Sequence, residues 1–323
     1  MAWDAGWYEA IARQGYATLG TQSVRFFPLW PLLARWVHGL GVPIPWVLAI
    51  GASALWFGAL VAVDQLAVAA GFSARVASSS LWLLSLVPGA VATVLGYAEP
   101  LVVLLVAAAL ICVLRVRNGG ERNALLWSSA IIAGYLAALT RPVGVLLCLP
   151  IALEAWRRRG SGQRGLGVAA ALAPVVGLLT YLWWCNHRFS SWLLPLRVQT
   201  EASHHGGLTN PISGVVGDLS EAVHGHPSVI LHLPWVALAL VLCVVTYKRA
   251  PLSLAAYSSA IVLVALSGHN LDSFERYLLA APPLFMVAAG ALRSTRVRIA
   301  VFVLLAALLL AWSILVFSNV IVP

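Results

Sequence analysis

The chain has 323 residues, of which 61% are apolar and only 10% charged, with a mean hydropathy of +0.90. So few charges on so long a chain exclude a soluble globular domain and leave an all-α polytopic membrane protein. The formal net charge of +9 raises the question of a nucleic-acid partner, but the charges sort by membrane side, so the excess belongs to topology and no nucleic acid is implied.

The first segment, Trp3-Asp4-Ala5-Gly6-Trp7-Tyr8, sets a carboxylate among aromatic rings ahead of a long series of apolar runs. Rings of this kind stack on a pyranose face, and a carboxylate can take a hydroxyl proton. Spacing alone also permits a plainer role, with Asp4 as N-cap of a helix at 5–14 and Trp3 and Tyr8 as a hydrophobic staple. Residues 22–40 follow, with Phe26, Phe27, Trp30, Leu33 and Trp36 beside Arg25, Arg35 and His38. After Pro28 and Pro31 this reads as an interfacial helix with its Trp rings at headgroup depth.

Apolar runs then predict ten spans, near 45–69, 77–95, 100–114, 124–139, 142–155, 166–184, 228–247, 252–268, 276–292 and 299–318. A full crossing takes about 20 residues, so the runs at 100–114 and 142–155 are short. The whole of 1–323 reads as one integral membrane domain: an outer loop at 1–42, spans 1–6 over 43–184, a long outer loop at 185–227, and spans 7–10 over 228–323.

Alternate connections hold Arg75, then Arg115, Arg117 and Arg122, then Arg157, Arg158, Arg159 and Arg164, then Lys248 and Arg249, then Arg293, Arg296 and Arg298. These are 13 of the 20 Lys and Arg, and the positive-inside rule makes that side cytoplasmic. The opposite side receives Asp4, Glu9, Glu99, Glu201, Asp218, Glu221, Asp272 and Glu275, which are 8 of the 11 acids, together with Arg141 and Arg276. Any chemistry therefore faces outward. Three outer turns carry the charge: Gly96-Tyr97-Ala98-Glu99-Pro100, Thr140-Arg141-Pro142, and the stretch from His269 to Tyr277 with Asp272, Glu275 and Arg276. Each is compatible with interfacial anchoring or mutual ion pairing, and an arginine there is also suited to grip a phosphate through paired hydrogen bonds.

No metal site is indicated. His204, His205, His224 and His226 share the long outer loop, but no acid or Cys completes a zinc spacing, and a mobile loop over the active face fits better. Cys112, Cys148, Cys185 and Cys243 form no CxxC pair and read as small core residues. There is no P-loop, GxSxG, HExxH or dinucleotide fingerprint, so no cofactor is implied, and a sugar donor at the outer face would be lipid-linked.

The order Trp3-Asp4-Ala5-x-Trp7-Tyr8-x-x-Ile11-Ala12-x-x-Gly15-Tyr16, then Phe26-Phe27-Pro28-x-x-Pro31, resembles the N-terminal signature of the PIG-V-type mannosyltransferases, the GPI mannosyltransferase 2 family and its bacterial relatives. Tyr97-Ala98-Glu99 is similar to that family's Tyr-Ser-Glu turn, Thr140-Arg141-Pro142-x-Gly144 to its Thr-Arg-x-x-Gly turn, and Glu275-Arg276-Tyr277 to its closing Arg-Tyr turn. Residues from about 150 to 265 match only in apolar pattern. The resemblance implies a GT-C-like bundle of about ten transmembrane helices and an inverting hexosyltransferase. The donor would be a polyprenyl-phosphate sugar, mannose first, and a metal ion is often dispensable in such enzymes. Asp4 would be the catalytic base. Trp3, Trp7, Tyr8, Tyr97, Glu99, Arg141, Glu275 and Arg276 would bind substrate, with Arg141 or Arg276 on the lipid phosphate. Family members carry a span before the Trp-Asp loop, so the resemblance implies either a start upstream of Met1 or the loss of that helix. High Ala, Leu, Val and Arg with Lys248 as sole lysine points to a bacterial plasma membrane and an envelope glycan, glycolipid or glycoprotein acceptor. Two other classes stay open: a transporter or lipid flippase, and a non-catalytic membrane partner subunit.

Overall fold

The computed structural model describes residues 3–119, 123–158, 163–200, 210–211, 227–268, 271, 273–318 and 320, with backbone alone for 227–230. The expectations placed on His204, His205, His224, His226, Glu201, Asp218, Glu221 and Asp272 lie outside the described residues. Among the described residues the chain is helical throughout, with no strand. In chain order the helices are α1 (Asp4–Gln14), α2 (Tyr16–Leu19), α3 (Leu29–His38), α4 (Ile44–Ala69), α5 (Ala74–Leu86), α6 (Glu99–Arg117), α7 (Asn123–Thr140), α8 (Cys148–Arg157), α9 (Arg164–Phe189) and α10 (Leu194–Gln199). They continue with α11 (Pro227–Arg249), α12 (Leu252–Ala265), α13 (Phe274–Leu278), α14 (Pro282–Ala291) and α15 (Thr295–Phe317).

Among the described residues six segments are long and apolar enough to cross a bilayer: α4, α6, α7, α9, residues Leu231–Arg249 of α11, and α15. The chain is thus a multi-pass, all-α membrane protein, since only internally hydrogen-bonded backbone survives in hydrocarbon. The run expected at 100–114 is not short. It extends to 19 residues because Arg115 and Arg117 belong to the helix and end it with their charges outward. The other runs are interrupted where proline removes a donor. Residues Pro88–Thr93 wind as a 3₁₀ turn after α5, Pro142–Leu147 as another ahead of α8, and Pro282–Pro283 start α14 afresh after α13.

The chain divides into two compact units, Met1–Ala70 with Thr93–Val198, and Gly71–Ala92 with Gln199–Pro323. In the first, α6 packs on α4 and α7, and α9 lies along α7 and α8. Small residues let these backbones approach, as expected where lipid offers no hydrophobic drive. Gly177 of α9 faces the Tyr135 carbonyl so closely that a Cβ would lie 2.4 Å from its oxygen, and Gly134 receives the Pro174 ring. Gly144, in the 3₁₀ turn, is tighter still, with a Cβ at 2.3 Å from the Ala137 carbonyl. In the second unit α5 packs on α14 and α15, and α11 packs on α12 and α14. Gly89 sits against the Glu275 carbonyl, where a Cβ would come within 2.5 Å. The lipid-type surface is plain on α15, where Val303, Leu310, Ile314 and Phe317 are exposed.

Gly144→Ala should lower stability by about 3 kcal/mol, because backbone on α7 must move to admit the methyl. Gly290→Ala, with nothing within 4 Å of the added carbon, should be neutral or slightly stabilising. Thermal unfolding of the detergent-solubilised chain compares the two; equal midpoints would remove the close approach.

Candidate functional site

Asp4 opens α1 as its first helical residue, and Trp3 takes the cap position at φ 55 without a side-chain cap bond. This differs from the expected Asp4 N-cap. The carboxylate stands in the first turn, beside the positive end of the helix dipole, a favourable place for negative charge. Trp3 holds left-handed backbone, which a side chain as large as indole adopts only when its surroundings hold it there.

The reason is visible in the first unit. The Asp4 backbone N–H donates to the Tyr97 hydroxyl at 3.3 Å, across 93 residues of sequence. Tyr97 is 1% exposed, so its ring is fixed in the core while its hydroxyl reaches the start of α1. One residue earlier, the Gly96 carbonyl accepts from Trp30 Nε1 at 2.9 Å. Two residues later, Glu99 starts α6, is 2% exposed, and accepts a hydrogen bond from Arg141 Nη1. A carboxylate so desolvated needs a cation with it, and Arg141 is the extended residue that follows α7 and caps the next 3₁₀ turn. The turn 96–99 therefore gathers Asp4, Tyr97, Glu99 and Arg141, four residues from three separated motifs, onto one side of the first unit.

The aromatic residues divide by role. Tyr8 is 5% exposed and meets Phe26 edge-on at 5.2 Å, so it is a core ring. Trp7 stacks on Phe26 at 5.6 Å, with the Arg25 guanidinium 5.8 Å from the Trp7 ring and 4.8 Å from Phe26. Trp7 and Trp3 are half-buried. The Phe26-Phe27-Pro28 stretch is a docking plate for α9: Tyr181 donates its hydroxyl to the Val24 carbonyl at 2.8 Å, and Phe27 lies 4.7 Å from the Tyr181 ring. Tyr16 donates to the Phe26 carbonyl at 2.7 Å, and burial pushes its phenol well above the ordinary value, keeping it a donor. Arg25 and Trp30 were not singled out as site residues. Their sign in the sequence is that each is a polar tip inside an aromatic run.

Glu275 and Arg276 belong to the second unit, in the short helix α13, whose start is held by Ser273 at φ 66. Both are buried, Glu275 to 1% exposure. Glu275 is held by His232 Nδ1, at 2.9 and 3.0 Å from its two oxygens, and His232 lies edge-on to Trp312 at 5.6 Å. Sequence reasoning passed over His232. Its signal was a titratable side chain inside the apolar run of α11, the kind of residue a membrane segment keeps only with a partner. Among the described residues no group of three or more His, Cys, Asp or Glu is placed to hold a metal. The four cysteines carry free thiols, with Cys185 and Cys243 buried.

No protein-family model, no curated protein and no solved structure matches this chain.

Glu99→Gln removes the buried carboxylate to which Arg141 donates and should cost roughly 3 kcal/mol. The double variant Glu99→Gln/Arg141→Gln should recover most of that loss. Unfolding in detergent measures the cycle, and strictly additive losses would mean that the two side chains do not hold one another.

Proposed function

We propose that this chain is a membrane glycosyltransferase that moves a sugar, mannose first, from a polyprenyl-phosphate donor to an envelope glycan, glycolipid or glycoprotein. The observation that supports this reading most is the joining of Asp4, Tyr97, Glu99 and Arg141 around one turn. An acid at a helix start, an aromatic hydroxyl and a guanidinium are the groups that an inverting transfer from a lipid phosphate needs. In this reading about ten helices cross the membrane, α3 lies in the interface with Trp36 toward the headgroups, and the site faces outward from a bacterial plasma membrane.

The residues act as follows. The Asp4 carboxylate takes the proton from an acceptor hydroxyl. That oxygen attacks the anomeric carbon from the face opposite the phosphate, the bond from sugar carbon to phosphate oxygen breaks, and polyprenyl phosphate leaves with the bonding pair. Negative charge grows on the departing phosphate, and a guanidinium stabilises it there. Arg141 is the candidate in the first unit. A guanidinium carries five N–H donors, so its bond to Glu99 orients the group and is compatible with a phosphate contact. Arg276 is the candidate in the second unit. Trp3 and Trp7 offer indole faces for the sugar, and Tyr97 fixes the backbone of the base.

One observation favours a transport reading instead. His232 and Glu275 form a buried titratable pair on an apolar helix, an arrangement that also occurs along ion and proton paths.

Transfer from radiolabelled polyprenyl-phosphate mannose in membranes containing this chain tests the proposal. Asp4→Asn should lower the rate about a hundredfold or more, as expected when a general base is lost. Full transfer by Asp4→Asn would remove the base assignment. Absence of transfer together with His232-dependent substrate flux would favour transport.

A further inference from the structure

The second unit holds a partly open cavity of about 280 Å³ between α5, α11, α13, α14 and α15. Leu83, Trp235, Phe285, Leu292, Val301 and Leu305 are among its walls, and every lining side chain is Leu, Val, Ala, Phe or Trp. The walls belong to helices whose other faces suit hydrocarbon, so what can enter is an apolar chain from the bilayer.

One end of the cavity is marked by charge. Leu292 lies next to Arg293 in sequence. On α15, Arg298 is three residues before Val301 and seven before Leu305, so it shares their helix face, about 10 Å from Leu305 along the axis. That distance is most of one leaflet. Arg293, Arg296 and Arg298 fall within six residues, and no acid occurs from Leu279 to Pro323. Arg296 and Arg298 also stand in the first turn of α15, at the positive end of its dipole, where cations are unfavourable until an anion joins them. Arg298 Nη2 reaches Thr295 Oγ1 at 3.5 Å, while its Nη1 is buried with no hydrogen-bond partner among the described residues.

We propose that this cavity is a binding site for an anionic phospholipid, with one acyl chain inside it and the phosphate on Arg298, with Arg293 beside it; Arg296 points to the other face of α15, with Ile299 and Val303. Charge complementarity selects the occupant: a neutral lipid would fill the cavity and bring no anion to Arg298, whose Nη1 is buried without a hydrogen-bond partner among the described residues. The lipid joins α14 to α15, the helix with the least buried span. The charged end lies at the turn between α14 and α15, while Leu278 of α13, two residues from Arg276, also lines the cavity.

Native mass spectrometry of the purified full chain tests this, with phosphatidylglycerol, phosphatidylcholine and undecaprenyl phosphate added in equal amounts and inorganic phosphate as a competitor. Phosphatidylglycerol should be retained over phosphatidylcholine, and inorganic phosphate should not displace it. Arg298→Ala should reduce that retention about fivefold. Ala288→Trp, which places an indole in the cavity, should abolish it. Arg298→Gln keeps a polar chain without charge and serves where a cavity variant fails to fold. Equal retention of the two phospholipids, or retention unchanged by Arg298→Ala and Arg298→Gln, would overturn the site. Preference for undecaprenyl phosphate would overturn the assigned occupant.

Discussion

The first unit is organised around a carboxylate that has lost its water. Glu99 is 2% exposed at the start of a membrane helix, and the electrostatic cost of that position is offset by Arg141. The pairing has a geometric consequence. It fastens the beginning of α6 to the chain just after α7 and fixes the turn at 96–99 that leads into α6. Once that turn is fixed, the Tyr97 hydroxyl has one place to go, and α1 is drawn to it through the Asp4 amide. The Gly96 carbonyl does the same for Trp30. A single buried ion pair thus sets the positions of segments far apart in sequence.

The second unit repeats the principle with different groups. Glu275, also at a helix start and also buried, is answered by His232 from α11 rather than by an arginine. The backbone beneath it is held by Gly89, whose lack of a side chain lets the 3₁₀ turn after α5 lie on the Glu275 carbonyl. In both units an acid sits where a helix dipole favours negative charge and where the chain has been interrupted by proline or left-handed backbone. Interrupted helices are where membrane proteins can place polar backbone and charge together, because neighbouring segments satisfy what the helix does not.

Much of this was legible in the sequence. The absence of charge over long runs identifies the membrane class, but apolar pattern alone runs spans through 77–95, 142–155 and 276–292, and the breaks at Pro88, Pro142 and Pro282 come from the missing N–H that hydropathy does not register. Asp4, Tyr97, Glu99 and Arg141 stood out because they are polar or aromatic at the ends of apolar runs. What periodicity does not carry is which end meets which: the bond between Asp4 and Tyr97 crosses 93 residues, and that between His232 and Glu275 crosses 43. Spacing reads Tyr8 as half of a staple with Trp3, and the resemblance reads it as a substrate ring; Phe26, eighteen positions on, meets it edge-on in the core. The expected Asp4 cap moved by one residue because Tyr97 ties the Asp4 amide directly, so Trp3 and not Asp4 takes the non-helical backbone.

The glycines at 89 and 144 bear on how this protein can drift. Each faces a carbonyl at a distance that no methyl group tolerates, and each lies beside a charged residue of a candidate site, Glu275 and Arg141 respectively. Either side chain, once acquired, would displace the backbone that aims the charge. Genetic variation in this chain should therefore be abundant along the lipid-facing surface of α15 and close to nil at these two positions, even though neither glycine has a side chain with which to touch a substrate.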